Sequence, residues 1–471
     1  MFASCTKLED LNKNIKDPAK VTGESLFTGA QKRLYDQMVT SNVNFNIVRL
    51  IMQYWTETTY LDESNYDLVT RTIPDNHWDR LYIQALKNFD ESKKVITATS
   101  YPNDPSTLVK SNKLAIVDVM SVYTWSILVE TFGNIPYTEA LDINNVHPKY
   151  DDGLTIYKDL ISRLNADIVI MNPAWGSFGT ADNMYNGNVA NWLKFANSLK
   201  LRMGMLLADI PSEAALAKAT VEAAAPNVFT SNSDRARLLY ASSQPNTNPI
   251  WEDLVASGRH DFVPTNTLVD TMNNWNDPRR PFYFTQIDTS TTGTPKLAYV
   301  GGLNGLSNDY YSYSHVADKI QEPTFEGLIF DYAEVEFLLA EAIERGYTVS
   351  GTAAAHYASG ITASMEYWGV TSTDITTYLA QPVVAYSSAN WKEKIGTQQW
   401  LAYYNRGIEA WTEWRRLDYP LLVAPPDAVS AIPVRYTYPI EEQTLNGANF
   451  TAASAAIGGD AVDTKLFWDK F

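Results

Sequence analysis

The residues of this 471-residue sequence with the most chemical potential are its histidines, carboxylates, tyrosines and a lone cysteine. The five histidines, His77, His147, His260, His315 and His356, stand far apart. No two share the i, i+4 spacing that aligns two imidazoles on zinc, so an H-E-x-x-H site is absent. Each is read as a surface or packing histidine. No G-x-S-x-G elbow and no phosphate-cradling G-x-x-x-x-G-K-[ST] loop occurs. Glycoside hydrolysis needs two carboxyl groups a few ångströms apart in space. With 54 Asp and Glu, the sequence neither selects nor excludes such a pair. No catalytic residue is assigned.

Two segments instead combine flat rings with groups that bond hydroxyls. Residues 60–71 carry Tyr60 and Tyr66 beside Asp62, Asn65 and Arg71. Residues 304–315 carry Tyr310, Tyr311 and Tyr313 beside Asn308 and Asp309, with Gly301, Gly302 and Gly305 freeing the backbone. The C–H-rich face of a sugar stacks on such rings. Asp and Asn accept from paired hydroxyls, and Arg donates. The competing reading of each ring is packing of loop onto core. Few loops turn three tyrosines in four residues all inward. Trp78 is divided between packing and a pocket. Trp400, Trp411 and Trp414 follow helical spacing and are read as core.

Phe2-Ala3-Ser4-Cys5 reads like the tail of a lipobox, in which the cysteine thiol carries a diacylglycerol. Buried acyl chains contribute roughly 0.8 kcal/mol per CH₂, enough in combination to hold a protein on a bilayer. The expectation is a chain beginning just inside a signal peptide, with 1–20 as lipid-anchor end and flexible tether. The alternative is an ordinary terminal cysteine. One cysteine permits no intrachain disulfide.

Helices must position these groups. Apolar residues make up 45% of the chain, enough for a large core. A period of 3.6 runs through 154–168, 191–207, 331–345 and 398–414, and 114–130 is apolar nearly all round, predicting a central buried helix. Segment 331–345 stops at Gly346, and a second helix over 353–368 stops at Gly369, making an antiparallel pair like a degenerate tetratricopeptide unit. Residues 226–327 are rich in Ser, Thr, Asn, Gly and Pro and are read as a loop-rich insert. Residues 424–439 predict a short hairpin. No run of about eighteen apolar residues occurs to span a membrane. The net charge of −17, with basic residues clustered no more than in isolated pairs such as Arg415-Arg416, disfavours nucleic acid and anionic lipid.

Along the chain stand, in order, Gln53-Tyr54-Trp55, Tyr60-Leu-Asp-Glu-Ser-Asn-Tyr66, Trp78-Asp-Arg-Leu-Tyr82, residues 191–202, Asn276-Asp-Pro-Arg279, residues 333–342, Glu413-Trp-Arg-Arg416 and Arg435-Tyr-Thr-Tyr-Pro439. Together they resemble the SusD/RagB family of outer-membrane lipoproteins, in particular its second, divergent branch, with Cys5 at the lipidation position. The resemblance implies a mostly α fold: one domain over 21–471, an α-α superhelix of about four tetratricopeptide-like pairs with a loop-rich face and few short strands. It implies lipid anchoring at the cell surface of a Gram-negative outer membrane, beside a SusC-like TonB-dependent transporter. The implied activity is glycan capture without cleavage. The alternatives are capture of peptide or another nutrient, and a surface hydrolase. No cofactor is implied. Scattered acids could hold calcium, but no contiguous motif supports it.

Overall fold

Short polar side chains set where the helices begin. In a computed structural model, which describes residues 21–100, 103–291 and 293–471, Thr22 accepts from the Ser25 N–H to open α1 (Gly23–Val39). Helix α2 (Ile73–Asp79) runs through a π-helical stretch, Arg80–Leu86, into α3 (Lys87–Ala98). The same capping follows at Asn103 for α4 (Asp104–Phe132), Asp152 for α5 (Gly153–Ile170) and Asn188 for α6 (Val189–Leu206). After α7 (Ala214–Ala224), Asp331 caps α8 (Tyr332–Glu344) and Thr352 caps α9 (Ala353–Trp368). Each cap satisfies an N–H that has no intrahelical partner, worth about 1 kcal/mol. Gly369 ends α9 at φ 93°, a conformation that disfavours any side chain. The last pair is α10 (Trp391–Ala402) and α11 (Gly407–Leu417). Cys5 and the tether expected at 1–20 lie outside the described residues.

Among the described residues, successive helices pack in pairs, α4/α5, α6/α7, α8/α9 and α10/α11, and α1 packs on α3. Close approach of α8 and α9 depends on Gly360, where a Cβ would lie 2.8 Å from the Phe337 ring. Helix α4 is long and apolar enough to cross a bilayer, yet 94% of its most apolar window is buried inside the protein. It is the central core helix that the continuous apolar pattern predicts.

A buried ionic seam ties the later pairs together. Arg202 on α6 donates to Glu334 on α8 at 2.6 Å, and Arg406 reaches Asp331 at 2.9 Å and also Glu334. Arg416 on α11 bonds Glu341 on α8 and Glu413. This seam explains one departure from the periodicity. The run over 398–414 is not one helix but breaks between α10 and α11 at residues 403–406. The turn carries Arg406 into the seam. Trp400 and Trp411 are buried, while Trp414 is half-buried with its indole N–H on the Pro420 carbonyl at 3.0 Å.

Strands are few. β1 (Trp55–Glu57), β2 (Ile135–Pro136), β3 (Tyr150–Asp151), β4 (Ala236–Leu238), β5 (Phe262–Pro264), β6 (Ile287–Asp288), β7 (Leu297–Ala298) and β8 (Gly327–Phe330) form four two-stranded antiparallel ladders: β1–β5, β2–β3, β4–β8 and β6–β7. The hairpin expected over 424–439 is absent. Its prolines donate nothing, and its β-prone donors bond elsewhere: Val434 N–H to the Val462 carbonyl at 2.8 Å and Tyr436 N–H to the Thr131 carbonyl at 3.0 Å.

Candidate functional site

The β1–β5 ladder decides where the tyrosines stand. It pairs Trp55 with Pro264 and Glu57 with Phe262. Just beyond it, Thr58 donates through its N–H to the Asp261 carbonyl at 2.9 Å and through its hydroxyl to the His260 carbonyl at 2.8 Å. The second tyrosine segment locks on at the same place, with the Asn308 N–H on the Thr58 carbonyl at 3.0 Å. Segments around 60, 260 and 310 thus meet on one loop face.

Asn308 and Asn65 are the rivets of this face. Buried Asn308 donates to the Glu57, Leu303 and Leu306 carbonyls at 3.2, 3.0 and 2.6 Å and accepts from the Leu303 N–H at 2.8 Å. Buried Asn65 donates to the Gly305 carbonyl at 2.8 Å. Gly305 is required there: at φ 69° a Cβ would lie 2.4 Å from Pro425. Tyr66 is 2% exposed, its hydroxyl accepts from Gln53 at 3.3 Å, and burial pushes its phenol up to about 12. These three sequence candidates face the frame rather than solvent. Arg71 is one-third exposed and pairs with buried Glu63. Glu63 also presses on Glu57, whose carboxyl is pushed far above its usual range, by burial first and by that neighbour second. Glu57 and Ser64 exchange hydrogen bonds at 2.9 Å, fixing the turn that carries Tyr60.

Tyr60, Asp62, Asp309, Tyr310, Tyr311 and Tyr313 lie on the solvent side, fully or partly exposed. Tyr60 is 69% exposed and sits at φ 59°, a left-handed conformation costly for a bulky residue. Tyr310 is sandwiched between two imidazoles, His260 at 4.2 Å and 6° and His315 at 3.9 Å and 12°. His315 Nε2 lies 3.0 Å from the Tyr310 carbonyl, which fixes that stack. Burial pushes the Tyr310 phenol up. Tyr311 stands nearly perpendicular to both, 5.4 Å from Tyr310 and 5.8 Å from His260, and is 72% exposed. Arg259, bonded to Asp261 at 2.5 Å, is raised by that carboxylate first, with Tyr60 a lesser neighbour. The Asp309 carboxylate accepts from the Ser312 hydroxyl at 2.6 Å.

The result is an open surface that presents the exposed rings of Tyr60 and Tyr311 beside the His260–Tyr310–His315 stack, whose central ring is covered on both faces, together with carboxylates and a guanidinium. Its chemistry is stacking plus hydroxyl bonding. Arg259 and His260 escape a sequence reading, because a lone histidine in a polar loop carries no signal until the ladder brings it beside Tyr310. Trp78 belongs elsewhere. It is 8% exposed, packs on Tyr82 and Phe132, and lines a separate cleft. Among the described residues, no group of three or more His, Cys, Asp or Glu is placed to hold a metal ion.

A family described as starch-binding and associating with the outer membrane, the second SusD-like family, matches residues 15–439. No curated protein matches the sequence. Among solved structures, a chitin-binding protein is 28% identical, over 96% of this chain and 100% of its own, with a TM-score of 0.81. A SusD homologue from Bacteroides uniformis is 26% identical over 95% of this chain and 99% of its own, with a TM-score of 0.77. A chitin-binding SusD homologue from Flavobacterium johnsoniae shares the fold at 22% identity, over 94% and 98%, with a TM-score of 0.77.

Proposed function

The chain belongs to the SusD-like family of starch-binding proteins associating with the outer membrane, and from that premise we propose that it captures oligosaccharide on the surface formed by Tyr60, His260, Tyr310 and Tyr311 and passes it to a SusC-like TonB-dependent transporter. The observation that carries this reading is the exposed pair of rings, Tyr60 at 69% and Tyr311 at 72%, each fixed in place by its own loop. An apolar ring left in water on a rigid loop is available to stack on a sugar face.

Function here is binding and release. An open surface excludes little water and offers no enclosed, paired acid and base, so it suits holding a chain rather than cleaving it. Each stacked ring contributes about 0.5–1.5 kcal/mol. Two or three rings with a few hydrogen bonds then give an affinity in the millimolar to micromolar range, about 4–8 kcal/mol. Such affinity is strong enough to concentrate a polymer at the surface and weak enough to let it go, since affinity is tuned mainly through the off-rate. Attachment through a lipidated Cys5 would keep this surface at the membrane where a transporter takes over.

Chitin oligosaccharide is the first ligand to test, because two solved relatives are chitin-binding proteins by name. Isothermal titration with chitohexaose and maltohexaose should give saturable binding to at least one, with no shortening of the chain on prolonged incubation. Replacing both Tyr60 and Tyr311 with Ala should weaken it at least about fivefold. Steady release of shorter sugars, or unchanged binding in the double variant, would refute the reading.

A further inference from the structure

A second recessed surface lies apart from the tyrosine face and shares no residue with it. It is a cleft of about 500 Å³ between the α2–π-helical stretch and the loop joining β2 to β3. Trp78, Tyr82, Pro136 and Leu141 form its floor, and Ile83 and Ile143 form its lips. The lips are 61% and 85% exposed. Large aliphatics held that far into water at the edge of a cleft mark an interaction surface, and the volume falls within the range of pockets that take side chains or small ligands.

The charges around it are mainly of one sign: Asp79, Asp142 and Glu442 line it against one lysine, Lys87. Asp79 and Glu442 line the cleft, and Asp75 and Glu441 stand beside Asp79. Among the described residues, none of the four forms an ion pair. Glu442 accepts from the neutral Tyr150 hydroxyl at 2.7 Å and Asn446 at 3.1 Å, and Asp75 accepts from the Glu441 N–H at 3.3 Å. The nearest cations already have partners. Lys87 donates to the Leu141 carbonyl at 3.0 Å and lies 3.5 Å from Glu91, and Arg80 stacks on Phe45 at 3.5 Å. Burial, then Glu441, Asp75 and Glu442, push the Asp79 carboxyl up.

The chemistry narrows the occupant. A sugar needs an open ring face, whereas Trp78 and Tyr82 are 8% exposed, and the one lysine of the lining, Lys87, is already held by the Leu141 carbonyl and Glu91. Among the described residues, the acids do not group as metal ligands. Nucleic acid and anionic lipid are repelled. We infer that this cleft docks an extended, basic polypeptide segment of a partner protein, whose aliphatic or aromatic side chains enter between Ile83 and Ile143 while its Lys or Arg side chains meet Asp75, Asp79, Glu441 and Glu442. Alternating side chains of an extended strand point to opposite sides, so one segment can supply both.

Fluorescence anisotropy with three labelled, end-blocked octapeptides on the whole chain tests this: alternating Leu-Lys, alternating Leu-Glu and alternating Ser-Lys. The Leu-Lys peptide should bind saturably, and each of the others at least about tenfold more weakly. Ile83→Lys should weaken it at least about tenfold. Leu239→Lys makes the same charge change at a site 62% exposed and outside the cleft, and should leave binding unchanged. Asp79→Asn should weaken binding and reduce its salt dependence. Chitohexaose binding, measured in parallel, should be indifferent to Ile83→Lys. Failure of the Leu-Lys peptide to saturate, equal binding of the Leu-Glu peptide, equal loss in Leu239→Lys, or loss of sugar binding in Ile83→Lys would each overturn the inference.

Discussion

Tyr60 and Tyr66 share one backbone conformation and differ in burial, and that contrast yields a prediction with opposite signs. Both are left-handed, at φ 59° and 71°. For a side-chain-bearing residue that conformation costs about 1–2 kcal/mol. Glycine removes the cost but adds unfolded-chain entropy of about 0.4–1 kcal/mol. Tyr60→Gly gives up little packing, because the ring is 69% exposed, so the fold should gain between about 0 and 1 kcal/mol. Tyr66→Gly gives up a ring that is 2% exposed together with its bond to Gln53. Large aromatic truncations in a core cost about 3–5 kcal/mol, so the net loss should be about 2–4 kcal/mol. With an unfolding entropy of about 2.1 cal/mol/K per residue, ~1 kcal/mol corresponds to roughly 1 °C for 471 residues. Scanning calorimetry should therefore show Tm unchanged or up about 1 °C for Tyr60→Gly and down about 2–4 °C for Tyr66→Gly. Titration with the bound sugar should show the reverse order: affinity falls about two- to twelvefold in Tyr60→Gly, the worth of one stacked ring. If Tyr60→Gly destabilises as much as Tyr66→Gly, or binds sugar as well as the parent, the assignment of Tyr60 as an exposed, pre-positioned platform is refuted.

Tyr311→Ala should lower sugar affinity with Tm unchanged, whereas Tyr310→Ala should lower both, because Tyr310 also holds His260 and His315 in its stack; paired titration and calorimetry separate them. Glu57 is pushed up by burial and by Glu63, so its folded value exceeds its unfolded one. Its stability contribution is full below the unfolded value near 4.5 and is lost as pH rises toward the folded value. Glu57→Gln should therefore gain stability relative to the parent as pH climbs from 5 to 9, and a gap in Tm that stays constant across that range would contradict the sign. Glu334→Gln leaves Arg202 and Arg406 buried without their shared carboxylate; breaking one partner of a buried pair costs about 3–5 kcal/mol, which chemical denaturation should register with the helical content of the folded baseline unchanged.

The sequence by itself determined the frame. Caps such as Asn188, Asp331 and Thr352, the stop at Gly369, and the 3.6-residue spacing of Leu160, Leu164, Trp192 and Leu199 are local codes, readable within one or two turns. The tyrosine-bearing loops stood out in the sequence too, because three tyrosines fall in so short a polar stretch. Tertiary structure alone decided which groups share a face. Thr58 meets His260 across 202 residues, through a three-residue ladder whose register no local pattern specifies. That contact turns Asn65, Asn308 and Tyr66 inward, turns Tyr60 and Tyr311 outward, brings in Arg259 and His260, and leaves Trp78 in another cleft. Helical periodicity is written along the chain, but the pairing of distant loops is set only when the core beneath them closes.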